Sequence, residues 1–97
     1  SEAARDELRV LSGQVMRVVD DAYALFMHQS GGTLQQVEEE EQRVDDMVDE
    51  LEITHIQRLN SGKCSADAGL LFSEVLTDLE RVSDHALNIA QAAESHR

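Results

Sequence analysis

The sequence predicts an all-α fold, an antiparallel three-helix bundle running up, down and up, on three observations. The 97 residues contain no proline and three aromatic side chains, and Leu, Val, Ala, Glu, Gln and Arg dominate. That mix favours helices over a sandwich. Apolar residues recur at spacings of three and four in three separate stretches, the period of a helix with one buried face. Between the stretches lie only short turn segments, which suit tight helix–helix connections and little else.

Leu8, Leu11, Val15, Val18, Ala22 and Leu25 form the first stripe, on a helix expected over residues 2–28. "SGGT", residues 30–33, ends it, the paired glycines supplying left-handed conformations for a tight turn. Thr33, with Gln36 three positions on, fits a capping box that opens the next helix. There Val37, Val44, Val48, Leu51, His55 and Leu59 set a helix over 34–60, and Gly62 in "NSGK" suits the position after its C-cap. Ser65 is the expected N-cap of a third helix over 66–95, with Asp67 favourable to the helix dipole. Its stripe reads Leu71, Val75, Leu79, Val82, Ala86, Ile89 and Ala93. Phe72, Leu76 and Leu87, with Ile53 in the second helix, fall off the stripes and read either as peripheral core or as contacts to a second copy, making a homodimer the expected assembly.

At this length and 41% apolar content the chain, residues 1–97, supports one core and one domain. Twenty acidic against eight basic residues leave a net charge of -12, which repels phosphate backbones and anionic headgroups, so neither nucleic acid nor a membrane surface is an expected partner. Cations or basic protein surfaces are the natural opposites, although solubility alone also accounts for the charge. The single cysteine, Cys64, beside Lys63 in a turn, reads as a free thiol. No apolar run is long enough to span a membrane, and nothing resembles a signal peptide, so the chain reads as cytosolic. It opens without methionine, directly in helical sequence, which reads as one domain of a longer protein. No serine or cysteine has a base and an orienting acid at a recognisable spacing, so an enzyme is not expected.

The acidic residues are patterned. Glu41 and Asp45 are four apart on the second helix, with Asp49 a further turn along; Glu80 and Asp84 repeat the spacing on the third. Residues four apart stack on one helix face, where like charges repel and call for screening water or a bridging cation. Measured from the third stripe, Glu80 and Asp84 fall on the opposite face. Glu41 instead occupies a step of the second stripe, at the edge of the core, where a lone acid carries a desolvation penalty. Two such pairs on adjacent helices can converge on a hard cation such as Mg²⁺, Mn²⁺ or Fe; a solvated acidic face is the alternative. His55 on one stripe and His85 at the flank of another each read as a core-edge histidine or as a metal ligand, and Asn88 can bridge helices through its amide.

"DLERVSDHALNIA", residues 78–90, closely resembles the PhoU family signature, an E-R-x-x-D-H-A-x-N-I-A run that marks the end of each three-helix repeat. "EEQRVDDMVDEL", residues 40–51, resembles the family's earlier acidic segment. "HIQRLNSGKCSADAGLLFSEVLTDLERVSDHALNIA", residues 55–90, looks like the PhoU-like tail of bacterial Na⁺/phosphate cotransporter family proteins, chiefly through R-L-N-x-G-K-C-S and A-G-L-L-F. The resemblance covers Val37 to Ala93, with the first helix matching in pattern alone.

The resemblance implies three-helix repeats paired in tandem or as dimers, a role in restraining phosphate uptake and signalling, and metal bound on E-x-x-x-D faces. By position it makes Glu41, Asp45, Glu80 and Asp84 the ligands, with Asp49 as an extra, for a divalent or ferric ion. One repeat is present here, so a complete site of that kind implies a dimer or a second repeat. The implied protein is the cytoplasmic domain of a sodium-coupled phosphate transporter of the inner membrane, partnered by its membrane domain. A stand-alone phosphate-signalling regulator and a purely structural oligomerisation module are the alternatives.

Overall fold

Each helix begins where a serine or threonine hydroxyl takes an amide that the first turn leaves unpaired. The computed structural model describes residues 1–29 and 31–96, and its three helices are α1 (Glu2–Phe26), α2 (Leu34–Asn60) and α3 (Ala66–Ser95). The amide of Ala4 donates to Ser1 Oγ at 3.2 Å, that of Gln36 to Thr33 Oγ1 at 3.1 Å and that of Ala68 to Ser65 Oγ at 3.2 Å. Caps of this kind contribute about 1 kcal/mol each.

Left-handed residues close the first two helices. Gly62, at φ 73°, follows the C-cap of α2, and the next amide, of Lys63, donates back to Arg58 O at 3.0 Å. This is the Schellman pattern expected there. α1 ends earlier than residue 28 and by a different residue. His28 takes the left-handed position at φ 55°, and the amide of Gln29 donates to Ala24 O at 2.9 Å. Gly31 also has positive φ, 99°, whereas Ser30, expected in this turn, lies outside the described residues.

Every helix packs on the other two, in a rod of 52 × 18 × 16 Å. From α1 the core takes Leu11, Val15, Val18, Ala22 and Leu25, the stripe its sequence predicts, with Leu8 partly buried at its end. From α2 it takes Val37, Val44, Met47 and Val48.

α3 is turned away from its predicted orientation. Its buried residues are Gly69, Phe72, Leu76, Ser83, Ala86 and Ala90, whereas Leu71, Val82 and Ile89, which the sequence places in the core, are 63%, 46% and 50% exposed. At about 100° per residue the inward direction is rotated by roughly 80° from the expected stripe. Small side chains explain the difference. Ser83, Ala86 and Ala90 let α3 lie close to its neighbours, and a Cβ added to Gly69 would stand 2.7 Å from Leu59 Cδ2 and 3.2 Å from His55 Cε1. A hydrophobicity pattern weights the larger Val75, Val82 and Ile89 instead. Phe72 and Leu76 are thus interior residues rather than contacts held for a second copy; Ile53 remains exposed.

The two readings of α3 separate in denaturation. Leu76→Ala should lower the unfolding free energy in urea by about 2–5 kcal/mol, as a buried leucine does, and Val82→Ala by under about 0.5 kcal/mol. The reverse order would restore the predicted stripe.

Candidate functional site

The setting of α3 decides where the acids point. With Phe72, Leu76 and Ser83 inward, Glu80 lies about 60° from the buried direction, at the flank rather than the far side. It is half-buried, and Asp84, one turn on, is exposed. The expectation that both acids face away from the core is therefore corrected. Across from them α2 presents Glu41, which is 8% exposed, and the half-buried Asp45.

One carboxylate oxygen from each of Glu41, Asp45 and Asp84 lies within 4.8 Å of the other two. Glu80 joins through a hydrogen bond with Asp45. Asp49 is exposed and stays outside the group of three, acting on Glu80 only through its charge. Four of the five acids singled out in the sequence thus meet at one α2–α3 seam.

Burial is the largest cause that pushes the Glu41 carboxyl up from the usual 4.5 to about 8, and hydrogen bonds with Asp84 and Asp45 and their charges act in the same direction. Glu80 is raised as well, first by burial and then by the charge and hydrogen bond of Asp45, with the Asp84 and Asp49 charges adding to it. Among the described residues, the ion pairs of Arg and Lys go to Asp6, Glu7 and Asp78 and none to these acids. The seam therefore holds an excess of negative charge that is relieved by shared protons or by a cation. Its donor set, all carboxylate oxygen, fits Mg²⁺, Mn²⁺ or iron rather than a soft thiophilic ion.

Neither histidine belongs to this seam. His85 is exposed. His55 is buried and stacks on Phe72 with ring centroids 4.8 Å apart, and it lines a pocket with Arg58 and Lys63 at the α2–α3 turn.

A second acid pair escapes the sequence pattern. Glu40 of α2 hydrogen-bonds with Asp21 of α1, and burial first, then Asp21, raises it to about 7 against a lowering by Arg17. Its Oε1 is buried with no hydrogen-bond partner. Residues on different helices with no shared spacing leave no periodic signal, so only packing brings this pair together.

The model of the PhoU domain family matches residues 8–93 of the chain. A curated relative, the phosphate-specific transport system accessory protein PhoU homolog 1 of Thermotoga maritima, is 28% identical over 85 residues, covering 88% of this chain and 37% of that protein. The chain thus spans little more than a third of the relative's length. No solved structure matches the chain significantly.

The raised carboxyls set a pH dependence. Between about pH 4.5 and pH 8 the folded chain keeps protons on Glu41 and Glu40 that the unfolded chain has released, so stability falls as pH rises through this window. Thermal melts in chelator should show a lower Tm at pH 8.5 than at pH 5.5, and Glu41→Gln should flatten the difference. A Tm that rises over that interval would contradict the assignment.

Proposed function

The chain belongs to the PhoU domain family, and from that membership we propose a regulatory module of phosphate transport, responsive to a hard cation at the Glu41, Asp45 and Asp84 seam. The observation that carries the reading is the convergence of three carboxylate oxygens from two helices, one of them on a buried glutamate, with no basic side chain among the described residues paired to them. Glu80 stands ready as a fourth ligand, and Asp49 as an outlying one. A bound cation, divalent or ferric, supplies the positive charge that lets all of these acids ionise at once.

The regulatory step follows from differential binding. Ionised acids on α2 and α3 repel and loosen the seam, whereas shared ligation draws the two helices together. A partner that packs across both helices reads the difference as a change in shape. The role is accessory rather than catalytic, in line with the name of the Thermotoga relative, which is that of a transport accessory protein.

The rotation of α3 also supports pairing. Val19, Tyr23, Phe26, Ala86 and Ile89 line an apolar groove of about 310 Å³ between α1 and α3, and Tyr23, Phe26 and Ile89 are 57%, 57% and 50% exposed. A second three-helix unit, as a dimer or a tandem repeat, is the occupant proposed for it. No helix among the described residues is long and apolar enough to cross a membrane, and the proposed setting is the cytoplasmic face of a sodium-coupled phosphate transporter, to which the likeness of residues 55–90 points. The relative's name favours instead a separate accessory protein. Apolar spanning helices encoded in the same reading frame would support the transporter, and their lack the accessory protein.

Two measurements test the proposal. Mn²⁺, Mg²⁺ or Fe³⁺ should raise the Tm, most strongly near pH 8.5 where ligation no longer competes with the Glu41 proton, and Glu41→Gln with Asp84→Asn should abolish the gain; a metal-free protein indifferent to all three ions would end the cation reading. In sedimentation, the chain should self-associate and Ile89→Asp should return it to monomer, whereas a monomeric parent at high concentration would remove the dimer.

A further inference from the structure

In a chain with eight basic residues and a charge of -12, the α2–α3 turn gathers cationic groups around a cavity. A pocket of about 200 Å³ is lined by His55, Arg58, Lys63, Cys64, Ser65 and Phe72. From these observations we infer that the pocket at the α2–α3 turn binds a small oxyanion of the phosphate or phosphate-monoester class.

Three features support the site independently of one another. The first is His55, which is 6% exposed, lines the cavity and makes no hydrogen bond through its ring with any described residue. Among the described residues its ring stacks on the face of Phe72. An imidazole always has at least one ring nitrogen that donates or accepts, and no side chain or backbone group of the described residues serves that of His55. The cavity is where that nitrogen finds a partner.

The second is the pair of cations. Arg58 sits over the Phe72 ring at 5.5 Å and donates through one terminal nitrogen to Glu7 at 2.5 Å. That fixes its guanidinium while leaving other N–H groups of the fork to serve a ligand. Lys63 is exposed at the turn, and its ammonium can swing to an anion as a mobile point charge.

The third is the start of α3. Ser65 caps the helix by accepting from Ala68 N, and the 30-residue helix begins at the cavity wall, where Ser65 and Ala68 line it, which places the positive end of its dipole there. Gly69 sets the position of His55, since its missing side chain is what lets the His55 ring lie against α3.

Carboxylates are near as well: Glu7 already holds Arg58, and Asp67 lies in the first turn of α3. The ligand therefore has to share Arg58 rather than capture it, which suits a compact multivalent oxyanion better than a bulky acid. The acidic seam does not oppose it strongly. Glu41 precedes His55 by fourteen residues on one helix, about 21 Å, beyond a Debye length of about 8 Å at physiological salt.

The inference uses neither the acidic seam nor the family role, so its failure leaves the proposed function untouched. The test is an NMR titration of the chain in chelator, following the His55 ring signals against inorganic phosphate, glycerol phosphate and sulfate, with sodium chloride at matched ionic strength. Saturable shifts with phosphate, weakened at least about tenfold by Lys63→Ala and unchanged by Arg81→Ala on the exposed face of α3, are expected. A response to glycerol phosphate but not to the free ion would make the ligand a monoester, within the class inferred. Unsaturable shifts equal to those of chloride, or shifts that survive Lys63→Ala, would overturn the site. So would saturation by Zn²⁺ through His55 and Cys64, in a parallel titration without chelator, with none by any oxyanion.

Discussion

The rotational setting of α3 is the constraint on which the rest of this structure depends. Gly69, Ser83, Ala86 and Ala90 are small and buried, so α3 can lie close against α1 and α2 along these positions. That contact fixes every other side chain of the helix. Turned by it, Glu80 and Asp84 come to the α2 side, Ile89 joins the α1 side with Tyr23 and Phe26, and the amino end of the helix closes over His55. Packing of ordinary apolar and small groups thus arranges the polar chemistry.

The arrangement has an electrostatic consequence. Acids on α2 and α3 are pressed together beside a core that cannot hydrate them fully, and no basic side chain among the described residues pairs with them. Burial and mutual repulsion hold Glu41 protonated near neutral pH. The protein therefore carries a seam whose charge state changes with protons near neutral pH. A solvated acidic face, dispersed over open surface, would have no such property.

The bundle is also polar along its length in a chemical sense. Its middle gathers carboxylate oxygens, while the turn between α2 and α3 gathers Arg58, Lys63 and the start of α3. Local geometry rather than net charge decides what each region attracts, because salt screens the one from the other over the length of a helix. A chain of net charge -12 can accordingly present a positive cavity.

The sequence by itself determined three helices, their caps at Thr33 and Ser65, the turn at Gly62 and the buried faces of α1 and α2, since these follow from local hydrogen bonding and from periods dominated by large apolar residues. It also marked the Glu41–Asp45 and Glu80–Asp84 pairs, because four-residue spacing is visible along a chain. Tertiary structure alone decided that Leu76 and Ser83 face inward while Val82 and Ile89 do not, that Asp49 stays outside the cluster, and that Glu40 meets Asp21. Each of these depends on how closely two helices approach, which is set by the fit of small side chains across an interface and leaves no period in either sequence.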